Sequence, residues 1–131
     1  MIGTLGCLEK GGSLLIASAC CEGFGSAEFR EAQQLLTGKG IDGFLREVRS
    51  HCIAKPDEWQ TVKLVEALRH CRVHLYTTGL EEVERRLTGV TCHRDWNRAV
   101  RAVLMETQAS EVAVIPEGPY VIPHFTPISI P

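Results

Sequence analysis

Two groups of residues in this sequence have the types and spacing to do chemistry. The first is Gly23, Gly25 and Ser26, which follow the apolar run Leu14 to Ala19 and precede the helical stretch Ala27 to Gln33. A strand, a glycine turn and a helix N-terminus in that order aim unpaired N–H groups and the positive end of a helix dipole at one point. Such a point suits a phosphate or another anion, and in α/β folds ligands sit there. The simpler reading of the same residues is structural: Ser26 is an N-cap, and the glycines permit a tight turn. The second group is Trp59, Gln60 and Lys63, in the first turns of a helix that runs from Asp57 to His70. Lys63 lies one turn beyond Trp59, so its cation can stand beside the ring, and the ring can wall a pocket. The packing alternative makes Trp59 the head of an apolar stripe with Val62, Leu64, Val65 and Leu68.

The remaining reactive side chains carry weaker signals. Cys20 and Cys21 precede the glycine turn, where a helix N-terminus lowers a thiol pKa, but no histidine adjoins them in sequence. His51-Cys52, His70-Cys71 and Cys92-His93 resemble metal ligands, yet no Cys-x-x-Cys pair exists and the pairs fall on different elements. Cysteine as a small core hydrophobe is the plainer account. Glu117-Gly118-Pro119 has the look of a site loop and equally of an ordinary turn. No residue is assigned as catalytic, and none as a metal ligand.

The elements that must position these groups follow from pattern. The chain has 131 residues, 44% of them hydrophobic and 23% charged, which is ordinary for a single globular domain spanning 1–131. A net charge of −2 gives no reason to expect nucleic acid, since a binding domain would normally show a basic stripe. No apolar run reaches membrane-spanning length, and Leu14 to Ala19 follows no basic segment of the kind that opens a signal peptide. Six cysteines in a chain with this much regular pattern read as free thiols of a reducing cytoplasm.

Leu14 to Ala19 is the first expected strand. Ala27 to Leu36 is a helix ended by Thr37-Gly38-Lys39-Gly40, and Asp42 caps a second short helix through Phe44, Leu45 and Val48. His51 to Pro56 is a loop. Asp57 and Glu58 at its start, with Arg69 and His70 at its end, complement the dipole of the strongest helix. Val73 to Thr78 is a second strand and Glu81 to Leu87 a helix. Gly89 to Thr91 is a connection. Asp95 to Gln108 is the last long helix, with Trp96, Ala99, Val100, Val103 and Leu104 facing inward. Glu111 to Ile115 is the third strand, and Tyr120-Val121-Ile122 a short edge strand. Five of the six prolines lie from Pro116 onward, so the tail is not helical. Its Tyr120, Val121, Ile122, Phe125, Ile128 and Ile130 should pack on the body or on a partner. Strands alternating with helices predict an α/β three-layer sandwich: a small, mainly parallel sheet with right-handed crossover helices.

Three segments, in this order, resemble the C-terminal domain of the nickel-dependent lactate racemase family, whose members use a nickel-pincer nucleotide. They are Lys10 to Ala19 with Glu22 to Phe29, Pro56 to Leu64 followed by the strand at Val73, and Val112 to Pro123. The resemblance implies a domain that closes a substrate cleft over a cofactor held by a catalytic N-terminal domain that precedes this chain, so that the chain is inactive alone. It also implies a small 2-hydroxy acid as substrate, with Trp59 near the substrate's apolar end and Gln60 and Lys63 beside it. The family's histidine roles belong to its N-terminal domain and do not transfer to His51, His70, His74, His93 or His124. The cytoplasm, an N-terminal domain of the same protein and a homo-oligomer complete the implied setting. Two other readings stay open: a stand-alone module binding a phosphate or nucleotide at Gly23 to Ser26, and a structural or oligomerisation domain.

Overall fold

A computed structural model describes residues 2–109 and 111–126. Three parallel strands, β1 (Ser13–Ala17), β2 (Arg72–Tyr76) and β3 (Thr91–His93), form a sheet in the order β1-β2-β3. Leu14 pairs with Val73 and Ile16 with Leu75, while Leu75 pairs with Cys92. Four helices connect and cover the strands: α1 (Ala27–Ser50), α2 (Glu58–His70), α3 (Glu82–Leu87) and α4 (Trp96–Thr107). α2 packs on one face of the sheet and α4 on the other, and α1 packs on α2 and α3. The fold is therefore the expected α/β sandwich with a small parallel sheet.

The period of two along a strand sorts the faces. Leu14, Ile16 and Val73 point to the α2 side. There they join Ala67, Leu68 and Cys71, with Ile2 and Leu5 of a 3₁₀ helix at Ile2–Cys7, and Leu8 just after it, as a lid. A second core lies between α1 and α2, built on Ala32, Leu36, fully buried Phe44 and Val65. The α4 side of the sheet is polar by contrast, carrying Ser13, Arg72 and His74 toward Glu106.

Several expectations need correction. The two helices after the glycine turn are joined end to end, bent at Gly40 (φ 69°, ψ 177°), rather than separated by a loop. Glycine takes that left-handed φ without strain, so the kink replaces a C-cap. The third strand is Thr91–His93, where a connection was expected, and Glu111 to Ile115 forms no strand. Val112 and Val114 are exposed; β-branched composition favours a pleated, half-buried surface, and here no strand is alongside to provide one. Tyr120 ends a 3₁₀ turn at Gly118–Tyr120, and Val121 and Ile122 form no edge strand. Tyr120, Val121, Ile122 and Phe125 are largely exposed, while Ile122 lies beside Gly3 and Ile115 and Pro123 are half-buried, so the described part of the tail rests lightly on the body. Ile128 and Ile130 lie outside the described residues.

The inward face of α4 also differs. Ala99 is buried, but Trp96 is 45% exposed and leans edge-on against Tyr76, ring centroids 5.5 Å apart.

Candidate functional site

The glycine turn rises from the C-terminal end of β1. Gly23 (φ 76°) and Gly25 (φ 106°) take the left-handed conformation that the sharp reversal requires. Ser26 caps α1: its Oγ accepts from the Phe29 amide at 3.0 Å and donates to Asp57 Oδ2 at 2.6 Å. Asp57 Oδ1 in turn accepts from Gln60 Nε2 at 2.9 Å. The two residue groups singled out in the sequence thus meet through one carboxylate. Asp57 itself sits in a left-handed conformation (φ 59°) and makes no cap bond to α2, which leaves its side chain free to make this bridge.

A second carboxylate approaches the turn from α3. Glu84 accepts from Arg30 Nη2 at 2.9 Å and from the Glu81 amide at 3.1 Å. These bonds, with further help from the Phe24 amide, hold it below the usual carboxylate range. The guanidinium carbon of Arg30 also lies 5.1 Å from the Phe24 ring centroid. Negative charge is therefore already present at the turn, supplied by the chain itself. The close fit continues at Gly79, where any Cβ would collide with the carbonyl oxygens of Ala19 and Cys20. Thr77 Oγ1 donates to the Ala19 carbonyl at 3.3 Å. The loops after β1 and β2 form one tight edge.

Trp59 lies beside this edge. It does not sit on the buried stripe of α2, which runs through Glu58, Thr61, Val65 and Ala67; the ring is 65% exposed. The stripe is turned by one position because α2 faces both α1 and the sheet. Thr61 and Glu58 accept burial because they have polar partners. Gln33, fully buried on α1, reaches Thr61 Oγ1 at 3.1 Å and offers its amide to the Leu87 and Thr88 carbonyls at 3.0 and 3.2 Å. Glu58 lies 3.3 Å from His51 Nδ1. Gln60 and Lys63 are exposed with Trp59, and Lys63 Nζ is engaged by Glu66 at 2.9 Å.

A polar network that the sequence did not announce lies under α4. His74 Nε2 is 3.0 Å from Glu106 Oε2, and His74 Nδ1 is 3.2 Å from His93 Nε2. Arg72 Nε lies 3.2 Å from Glu106 Oε1, and Ser13 Oγ donates to Oε2 at 3.4 Å. With the Nε2 proton of His74 directed at the carboxylate, Nδ1 accepts from His93. His74 thus bridges His93 and Glu106 through its two ring nitrogens. Burial first, then His74 and Arg98, hold His93 below the ordinary histidine value. The alternation of strand residues was the one available signal, since it places His74 on the α4 face. The partners lie 19 and 32 positions away in sequence, so only the fold joins them.

The thiols are free at all six cysteines. Burial raises the Cys71 and Cys92 pKa values, which keeps those thiols neutral and poorly nucleophilic. Among the described residues no group of three or more His, Cys, Asp or Glu side chains is arranged to hold a metal ion, and no helix is long and apolar enough to cross a membrane.

No protein-family model matches the sequence, and no curated protein matches it. Among solved structures, the chain is similar to the lactate racemase apoprotein from Thermoanaerobacterium thermosaccharolyticum, with a TM-score of 0.67 at 19% identity over 79% of this chain. The match covers 25% of that chain. The likeness is one of fold: this protein has a lactate racemase-like α/β fold and spans about a quarter of the solved enzyme's length.

Proposed function

We propose that this chain serves as the cleft-closing domain of a lactate racemase-like 2-hydroxyacid racemase or epimerase. The observation that carries the reading is Trp59: an exposed indole on a lactate racemase-like fold, beside the edge where β1 ends and α1 and α2 begin. An apolar ring held outside the core is available to cover the apolar end of a small 2-hydroxy acid and to exclude water from it. Gln60 stands next to it, oriented by Asp57, and Lys63 supplies a cation one turn along the helix.

The described residues do not fit a nickel site, so the reading assigns the nickel-pincer nucleotide and the proton transfers to an N-terminal domain of the same protein, and no chemical step to this chain. Substrate, companion domain and any homo-oligomer are parts of the same proposal. So is a cytoplasmic location, which free thiols suit.

The test is racemisation by the native polypeptide. It would be isolated from its source cells, weighed intact, analysed for nickel and incubated with enantiomerically pure lactate and longer 2-hydroxy acids. Chiral chromatography should show the opposite enantiomer accumulating, and Trp59→Ala should raise KM or lower kcat. Nickel-loaded native protein that interconverts none of these acids would refute the reading.

A further inference from the structure

A cleft of about 300 Å³ lies between α3 and the edge strand β3, lined by Glu82, Arg85, Arg86, Val90, Cys92 and Arg94. None of these residues belongs to the Trp59 edge or to the His74 network. Three guanidinium groups face a single carboxylate. Arg85 is the unusual member. It is only 8% exposed, and its Nε and Nη1 have no hydrogen-bond partner. Its nearest carboxylate oxygen, Glu82 Oε2, stands 3.7 Å from Nε, too far for a good hydrogen bond. A buried guanidinium without acceptors is costly to keep. Arg86, in contrast, is exposed and drawn toward Glu82 at 3.4 Å. Arg94 is exposed and makes no ion pair among the described residues. Val90 and Cys92 give the cleft an apolar floor, and the Cys92 thiol adds no negative charge of its own.

We infer that this cleft binds a phosphate group, as inorganic phosphate or as the phosphomonoester end of a small metabolite, between Arg85, Arg86 and Arg94. Two surplus positive charges match a dianion. The planar fork of a guanidinium suits two phosphate oxygens at once. A bound phosphate would add negative charge beside the Arg85 guanidinium, whose Nε and Nη1 make no hydrogen bond and whose ion pair with Glu82 is long.

The probe is inorganic phosphate titrated into the chain at constant ionic strength, with potassium chloride as the reference salt and glycerol phosphate as the ester. Amide NMR shifts report the position. Saturable shifts at Cys92 and Arg94 are expected, with about tenfold or weaker binding in Arg94→Ala, the loss typical of one charge-assisted hydrogen bond. Arg94 is exposed, so the variant should melt at the wild-type temperature without phosphate. Arg46→Ala, on α1, should bind as the wild type does. Tighter binding of glycerol phosphate would identify an ester as the ligand, and equal binding would identify free phosphate. Shifts that chloride reproduces, or an affinity unchanged in Arg94→Ala, would overturn the assignment and leave Arg85 as a packing residue.

Discussion

Replacing Trp59 with alanine separates a pocket wall from a core ring, and the structure sets the size of the effect. A tryptophan side chain offers about 150–250 Å² for burial. Trp59 keeps 65% of its surface exposed, so the covered third is about 50–90 Å², worth ~1–2 kcal/mol at about 25 cal/mol per Å². A tryptophan embedded in a core would lose about 3–5 kcal/mol on the same truncation. Trp59→Ala should therefore lower the unfolding free energy by no more than about 2 kcal/mol. Phe44→Ala, at a fully buried position between α1 and α2, should cost about 3–5 kcal/mol. Urea denaturation followed by far-ultraviolet circular dichroism measures both without relying on the deleted fluorophore. The midpoint should move and the slope should not. A loss of 3 kcal/mol or more for Trp59→Ala would mean that the ring packs as a core residue and would remove the basis of the proposed function. A small loss with unchanged kinetics in the native enzyme would refute the pocket role by the other route.

Three further outcomes can be checked on the chain itself. Gly79→Ala should destabilise by about 2–3 kcal/mol, the scale of overpacking, because the added Cβ meets the carbonyl oxygens of Ala19 and Cys20. Gly38→Ala, where nothing lies within 4 Å on the outside of α1, should stabilise by about 0.5–1 kcal/mol; thermal melts of the two variants should move in opposite directions. His93 titrates below its ordinary value in the folded chain, so the unfolded chain binds the proton more readily and stability rises with pH across that interval. The contribution is complete above about pH 6.5 and is lost as pH falls through the lowered folded value. Melting temperatures from pH 7 down to pH 5 should fall less steeply in His93→Asn than in the wild type, and an imidazole NMR titration placing His93 at or above about 6.5 would refute this.

Much of the local structure was legible because it rests on neighbours in sequence. Ser26 and Asp95 both cap helices, each accepting from the amide three residues on. The strands at Leu14 and Val73 and the helix ending in Arg69-His70 were likewise set by short-range pattern and by charges matched to the helix dipole. β3 was missed because three residues carry too little pattern; its pairing with β2 makes it a strand. Val112 to Ile115 shows the converse, strand-like composition without a partner strand.

The site divides in the same way. Residue types nominated Gly23, Gly25, Ser26, Trp59, Gln60 and Lys63, and the glycines' backbone role followed from their chemistry alone. Only the tertiary structure decided that Asp57 joins the two groups, that Glu84 brings a carboxylate to the glycine turn, and that Trp59 stands outside the core. It alone assembled His74, His93 and Glu106, and it alone buried Arg85 with its Nε and Nη1 lacking hydrogen-bond partners. The physical reason is range. Caps, turns and dipoles act over a few residues and can be read in order along the chain, whereas burial and charge pairing depend on which distant segments pack together.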